Sequence, residues 1–338
     1  MKKSRARIFV VVCIGSIALA YSFYHFIFRT SNLICNSDNC IFEVRSSAEA
    51  ESILQQSGFH IDNETSWLAA AKIKQLKTIK PGRYKFTQGM SNSEIINALR
   101  AGGEATVTLR IDDVTHLEEL SGKLGKYLLH DSSHFINAFN NDSLLSSLDT
   151  EKLKLATIIR PNTYEFYWNM TGESFLSKMK SETDKMWSLE RQQACDKIGM
   201  KKEEVVILAS IVKAETASRE EAPRIAGLYL NRLKIGMPLQ SDPTAIFMRR
   251  APSQRVYLSD IQSDNPYNTY KFQGLPPGPI NFPETTYIDA VLKAEQHNFL
   301  FMCAEPGGTG RHRFARSLAD HEQNRRQYVA WLDKQGIR

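Results

Sequence analysis

The chain has 338 residues, 42% hydrophobic and 24% charged, with no low-complexity tract; this is globular composition, long enough for two domains and an appendage. Its formal charge of +6 suggests a nucleic-acid partner only until the charges are located, because Lys2, Lys3, Arg5 and Arg7 supply four of them with no acid among them. The remainder is nearly neutral, which excludes the basic footprint of a nucleic-acid binder.

Residues 8–28, IFVVVCIGSIALAYSFYHFIF, follow that basic tail and carry no Asp, Glu, Lys or Arg. Twenty-one residues at about 1.5 Å each span a hydrocarbon core of about 30 Å, and the basic flank belongs on the cytoplasmic side. The competing reading is a cleaved signal peptide, with Ala18 to Ala20 as the small-residue site. The aromatic stretch that continues through Tyr21, Phe23, Tyr24, Phe26 and Phe28 favours a retained anchor. The body then lies outside the cytoplasm. Cys35 and Cys40, in the linker expected over residues 29–40, are either a small disulfide loop or two free thiols. Cys195 and Cys303 read as buried small hydrophobes, since neither neighbourhood offers the His partner of a catalytic thiol.

From residue 41 the pattern is strand, then helix, twice. FEVRSSAEAESILQQSG gives a strand and a helix opened by Ser46 with Glu49, a capping box; GRYKFTQGMSNSEIINALRAGG repeats the design with Ser91 and Glu94 and ends at Gly102 and Gly103. Two such units predict a small α+β module over residues 41–105. TVTLRI alternates as a third strand, and Thr115 with Glu118 opens the next helix. Residues 106–200 read as a mostly helical connecting region. The aromatic cluster Tyr164, Phe166, Tyr167 and Trp168, after Pro161 and Asn162, is either a sugar platform or plain core.

Residues 201–338 hold most of the turn formers and the candidate site. Val205, Leu208, Ile211, Val212 and Glu215 recur at helical spacing, so a carboxylate closes an apolar face. If that face is buried, desolvation raises the pKa of Glu215, as a general acid requires; the bland alternative is a helix-end glutamate reaching water or pairing with Lys213 or Arg219. A second helix begins at Ser218 with Glu221 as the box, or at Pro223, and carries Ile225, Leu228, Tyr229, Arg232 and Leu233 on one face. Asp242 is either a second catalytic carboxylate or a turn cap before Pro243. Gln240, Asp242, Asn268 and Tyr270, on loops whose polar groups have no evident capping job, are expected to line a groove around Glu215. His312 and His321, nine residues apart without a third ligand, make no case for a metal. No metal or other cofactor is expected.

RPNTYEF, LASIVKAET, LYLNRLKIGMPLQSDPT, NPYNTY, GLPPGPI and HRFARSLADH follow one another in an order that resembles the endolytic murein transglycosylases, the YceG-like family. The resemblance implies an α+β fold with an N-terminal transmembrane helix, a small LysM-like glycan-binding module and a catalytic domain of mixed helices and strands. It implies a single-pass inner-membrane protein with a periplasmic body, peptidoglycan as its substrate, and peptidoglycan synthases as partners. It also implies that Glu215 protonates the glycosidic oxygen between N-acetylmuramic acid and N-acetylglucosamine, leaving a 1,6-anhydro end and so limiting strand length. Lys213 stands where many members carry an acid, so burial must hold the proton on Glu215. The alternatives are a two-carboxylate hydrolase using Glu215 with Asp242, and a non-catalytic glycan-binding scaffold.

Overall fold

The computed structural model describes residues 2–55, 58–103, 105–112, 114–249 and 255–336. The chain divides into two compact units. One comprises Met1–Leu109, Tyr127–His130 and Glu165–Met170; the other comprises Arg110–Lys126, Asp131–Tyr164 and Thr171–Arg338.

The first unit starts with α1 (Lys2–Phe28), whose stretch Phe9–Phe28 is long and apolar enough to cross a membrane. Phe9, Val11, Ile17, Leu19 and Tyr21 stand exposed on it. Its last turn faces inward: Ile27 and Phe28 are buried, and Asn92 Nδ2 donates to the Ile27 carbonyl at 2.8 Å. The body follows as β1 (Leu33–Cys35), β2 (Asn39–Val44), β3 (Ala48–Glu49), a 3₁₀ turn at Ala50–Gln55, β4 (Phe59–Ile61), α2 (Glu64–Ile73), β5 (Thr78–Ile79), β6 (Gly82–Thr87), α3 (Asn92–Ala101) and β7 (Thr106–Ile111). β2 and β6 pair antiparallel with Phe42 opposite Tyr84 and Cys40 opposite Phe86. The period of two sends all four inward, against Trp67, Ile95 and Ile96 of the helices. Asn32 stitches the helix starts together: its Oδ1 accepts the Asn63 N–H at 2.6 Å, and its Nδ2 donates to Asn92 Oδ1 at 2.6 Å.

The remaining elements are α4 (Leu117–Tyr127), α5 (Ser132–Phe139), α6 (Asp142–Ser147), β8 (Asn162–Tyr167), α7 (Gly172–Met186), α8 (Leu189–Ile198), α9 (Lys202–Glu215), α10 (Ala222–Lys234), α11 (Asp242–Ile246), α12 (Leu258–Gln262), α13 (Thr285–Leu292), β9 (Phe301–Ala304), β10 (His312–Ala315) and α14 (Leu318–Gln335), all in the second unit except Tyr127 of α4 and Glu165–Tyr167 of β8, which belong to the first. α9 is the axis of the second unit's core. Every residue from Val205 to Val212 is buried, so the helix is enclosed on all sides rather than along one stripe. It packs against α8, α10 and α13. α10 lies close on the following segment, because a Cβ on Gly227 would stand 2.3 Å from the Glu295 carbonyl oxygen. β9 and β10 form an antiparallel hairpin with His312 opposite Ala304 and Arg313 opposite Cys303, and α14 packs across it.

Several local expectations are corrected. Residues 29–40 are not a plain linker: β1 pairs with β4, Leu33 is fully buried, and Cys35 is disulfide-bonded to Cys40. Ser46 and Glu49 open no α-helix, since Ala48 and Glu49 pair with Ile79 and Thr78. The Ser91–Glu94 box is present, and its hydrogen bonds hold the Glu94 carboxyl below the usual range. At α4 the accepting side chain is Glu119, not Glu118, taking the Thr115 N–H at 2.7 Å. α10 begins at Ala222 with Pro223 in its first turn; Ser218 Oγ accepts the Glu221 N–H at 3.4 Å, so half of the expected box is present, while the Glu221 side chain is used elsewhere. Of the aromatic cluster, Tyr164, Phe166 and Trp168 are buried while Tyr167 is exposed, so three of the four are core.

Candidate active site

α9 ends at Glu215, and Thr216 turns the chain with extended φ and ψ of −146° and 139°. The carboxyl is thereby delivered from the core helix to the floor of a cleft of about 220 Å³, whose walls include Tyr229 and Arg232 of α10, Gln240, Asp242, Tyr270 and His312. That volume is below the roughly 300–1,000 Å³ of typical small-molecule sites. It accommodates a small group rather than a whole drug-sized molecule.

Two hydroxyls grip the acid. Tyr229 Oη donates to Glu215 Oε1 at 2.7 Å, and Ser241 Oγ donates to the same oxygen at 2.5 Å. Burial pushes the Glu215 carboxyl above its usual pKa and is the largest influence on it; the two hydrogen bonds and His312 pull the other way, and the charge of Asp242 adds to the rise. Lys213 does not pair with it, because its Nζ is engaged by Glu284 at 2.9 Å and by the Phe282 carbonyl at 2.9 Å. The upward push on the Glu215 pKa therefore comes chiefly from desolvation, with no part played by Lys213. Burial likewise keeps both Tyr229 and Tyr270 well above the usual phenol range, so both remain donors.

The loop that brings Ser241 in is tied at several points. Gln240 adopts φ 50°, a left-handed conformation that a side chain resists, and its N–H donates to the Thr269 carbonyl at 3.1 Å. The Ser241 N–H donates to Thr269 Oγ1 at 3.0 Å, and the buried hydroxyls of Thr244 and Thr269 lie 2.7 Å apart. Arg232 fastens the same loop from α10. Its Nε donates to the Leu300 carbonyl at 2.6 Å and its Nη1 to the Leu239 carbonyl at 2.6 Å and the Pro238 carbonyl at 3.3 Å.

Of the residues expected around Glu215, the cleft brings together Gln240, Asp242 and Tyr270. Asp242 is exposed at the first turn of α11 and its Oδ1 accepts from Tyr270 Oη at 2.5 Å. Asn268 is corrected: it is fully buried, and its Nδ2 donates to the carbonyls of Ile261 at 2.8 Å and Ser263 at 2.9 Å. A side chain spent on backbone carbonyls holds its loop together and has no donor left for a ligand. Cys303 is also corrected, since it is half-buried and lines the cleft beside His312. Burial raises its thiol pKa, which keeps it a poor nucleophile.

Sequence reasoning missed Ser241 and the pair formed by Glu221 and His312. Glu221 Oε1 accepts the His312 backbone N–H at 2.8 Å and its Oε2 lies 2.8 Å from His312 Nδ1. A larger concavity of about 1040 Å³ opens near the start of α9. Its acids are spent or exposed: Glu204 caps α9, Asp149 and Glu203 are exposed and Glu151 pairs with Lys154 at 2.7 Å. It offers no buried acid for chemistry.

The Ser241 bond yields a separable expectation. A hydrogen bond to the charged carboxylate lowers the Glu215 pKa, so Ser241→Ala raises it further. The alkaline limb of the pH–rate profile should move to higher pH, while the plateau rate falls about tenfold from lost positioning. A profile of unchanged shape would separate Ser241 from the acid.

Residues 42–327 match the family described as YceG-like. The chain is 24% identical over 302 residues to a Bacillus subtilis (strain 168) protein named endolytic murein transglycosylase, covering 84% of this chain and 83% of that one. It is 27% identical over 290 residues to a protein of the same name from Streptococcus pneumoniae (strain R6), covering 77% of this chain and 52% of the relative. The chain thus spans about half the length of the streptococcal protein. A crystal structure of a yceG-like protein from Listeria monocytogenes shares the fold, with a TM-score of 0.57 and 21% identity over 85% of this chain and 98% of that one.

Proposed function

The chain belongs to the YceG-like family, and from that premise we propose that it is a membrane-anchored lytic transglycosylase of peptidoglycan, with Glu215 as its acid. The relatives named endolytic murein transglycosylase support this general activity. The observation that carries the assignment of the acid is a carboxyl raised by burial on the floor of a cleft.

Glu215, its pKa raised by burial, donates its proton to the oxygen leaving C1 of N-acetylmuramic acid. The muramic N-acetyl group supports the cationic centre, and the C6 hydroxyl closes on C1, giving a 1,6-anhydro end without water. One acid suffices for this sequence, whereas hydrolases set two carboxylates across the bond. Asp242 lines the same cleft, exposed and bonded to Tyr270, so the two-carboxylate hydrolase is the alternative that the products must separate from the lyase. The test is digestion of purified sacculi with the full chain, followed by mass analysis of the products. Anhydro ends, one water lighter than reducing ends, are expected; reducing ends would overturn the lyase reading and restore the hydrolase.

The apolar helix Phe9–Phe28 supports an inner-membrane anchor, and the basic residues before it support a cytoplasmic N-terminus with a periplasmic body. The Cys35–Cys40 disulfide agrees with an oxidising compartment. The strand and helix module of the first unit is read as LysM-like and glycan-binding, and synthases of the same wall are the partners that this location offers. Protease accessibility from the periplasmic side of spheroplasts tests the orientation: a protected body would reverse it.

A further inference from the structure

The pair formed by Glu221 and His312 is left unused by a one-acid mechanism, yet it is built like a catalytic dyad. Glu221 sits where α10 begins and holds His312 at two points, through the backbone N–H and through Nδ1, each at 2.8 Å. Glu221 is itself held: Thr216 Oγ1, on the residue after Glu215, donates to its Oε2 at 3.4 Å, and the Thr216 carbonyl accepts from Tyr287 Oη at 3.1 Å. Both side chains of the pair are largely buried, with 16% and 10% exposure for His312 and Glu221. A carboxylate only accepts, so the neutral tautomer that pairs with Glu221 carries its proton on Nδ1 and its lone pair on Nε2. His312 lines the cleft that holds Glu215.

We propose that His312 is a second catalytic residue, the base that takes the C6 hydroxyl proton as O6 closes on C1, with Glu221 fixing its tautomer. This rests on the lyase reading and divides its two proton transfers between two groups. The bond from C1 to the leaving oxygen breaks with its electron pair going to that oxygen, which takes the Glu215 proton. O6 then forms the new bond to C1 with a lone pair and gives its proton to His312 Nε2. The protein is left with a Glu215 carboxylate and a His312 imidazolium in one cleft, and proton return from the ring to Glu215 resets both. The division has a physical reason. A lone carboxylate is costly in the place where burial disfavours its charge, whereas one formed together with a facing imidazolium is compensated.

The test uses the full chain in detergent on purified sacculi, following anhydro ends across pH 5 to 9. The other titratable or charged groups facing the ring from the walls of the cleft are Glu215 of α9, Tyr229 and Arg232 of α10, Asp242 of α11, Tyr270 and Cys303. His312→Ala should lower the rate about 100-fold at neutral pH and lose the acid limb that the imidazole gives the wild-type profile. Added imidazole should restore several-fold of the lost rate. Glu221→Gln, which keeps the ring but frees its tautomer, should lose about tenfold and carries the test if His312→Ala fails to fold. His312→Gln within threefold of wild type, or a His312→Ala loss equal at every pH and unmoved by imidazole, overturns the proposal. Either result with anhydro ends still forming leaves the lyase reading intact, whereas reducing ends would overturn that reading first.

Discussion

Glu215→Gln should abolish release of anhydro ends from sacculi, lowering the rate by about 10²–10⁴-fold or more while leaving the cleft intact. Gln has the shape of the acid and can still accept from Tyr229 and Ser241, but it cannot surrender a proton. The same variant carries a stability signature of opposite sign. The Glu215 pKa is raised by folding, so whatever stability its protonation contributes is complete below the unfolded value and is lost as the pH rises through the folded one. Gln does not titrate. The variant should therefore melt at or above the wild type at neutral pH, with the gap closing as the pH falls. Thermal unfolding at two pH values reads this directly, and a variant that is both inactive and less stable at neutral pH would make Glu215 a structural residue.

The largest effect on stability is expected at Arg232. Its guanidinium is buried and serves the carbonyls of Leu300, Leu239 and Pro238, which join α10 to the loop bearing Ser241 and to the approach to β9. Arg232→Met keeps the bulk of the side chain but strips these buried carbonyls of their donors, at about 1–3 kcal/mol for each one left unsatisfied. A loss on the order of 3 kcal/mol or more in urea unfolding is expected, together with loss of activity as Ser241 moves away from Glu215. Arg232→Lys should recover little, because an ammonium cannot reach three carbonyls in the fixed fork of a guanidinium. Near wild-type stability in Arg232→Met would mean that the loop is held by the threonine network alone.

What could be read from the sequence was whatever depends on near neighbours. Period and capping identify α3 through Ser91 and Glu94, and they put Glu215 at the end of an apolar helix. The same box signature failed at Ser46 and Glu49, where pairing with Thr78 and Ile79, some thirty residues away, competes successfully for the backbone. Tyr229 and Arg232 were legible as one face of α10, but nothing local says that the face meets a carboxyl and three carbonyls. Ser241 was hidden by the left-handed turn at Gln240, since only the fold forces a non-glycine residue into that conformation. Glu221 and His312 are 91 residues apart and meet because the β9–β10 hairpin returns to the start of α10. Asn268 misled for a related reason. Its polarity answers to the carbonyls of its own loop, a demand that composition cannot distinguish from that of a ligand.

Tyr229 and Ser241 both donate to Oε1 of Glu215. In the neutral acid an oxygen receiving two donors is the carbonyl one, so the hydrogen is assigned to Oε2. The carboxyl group thus has two unlike edges, one anchored to the protein by two hydroxyls and one that receives neither of them. Under the proposed mechanism a proton leaves and returns at a single atom without rotation about the Cγ–Cδ bond, so the approach of the polymer is constrained by direction as well as by fit.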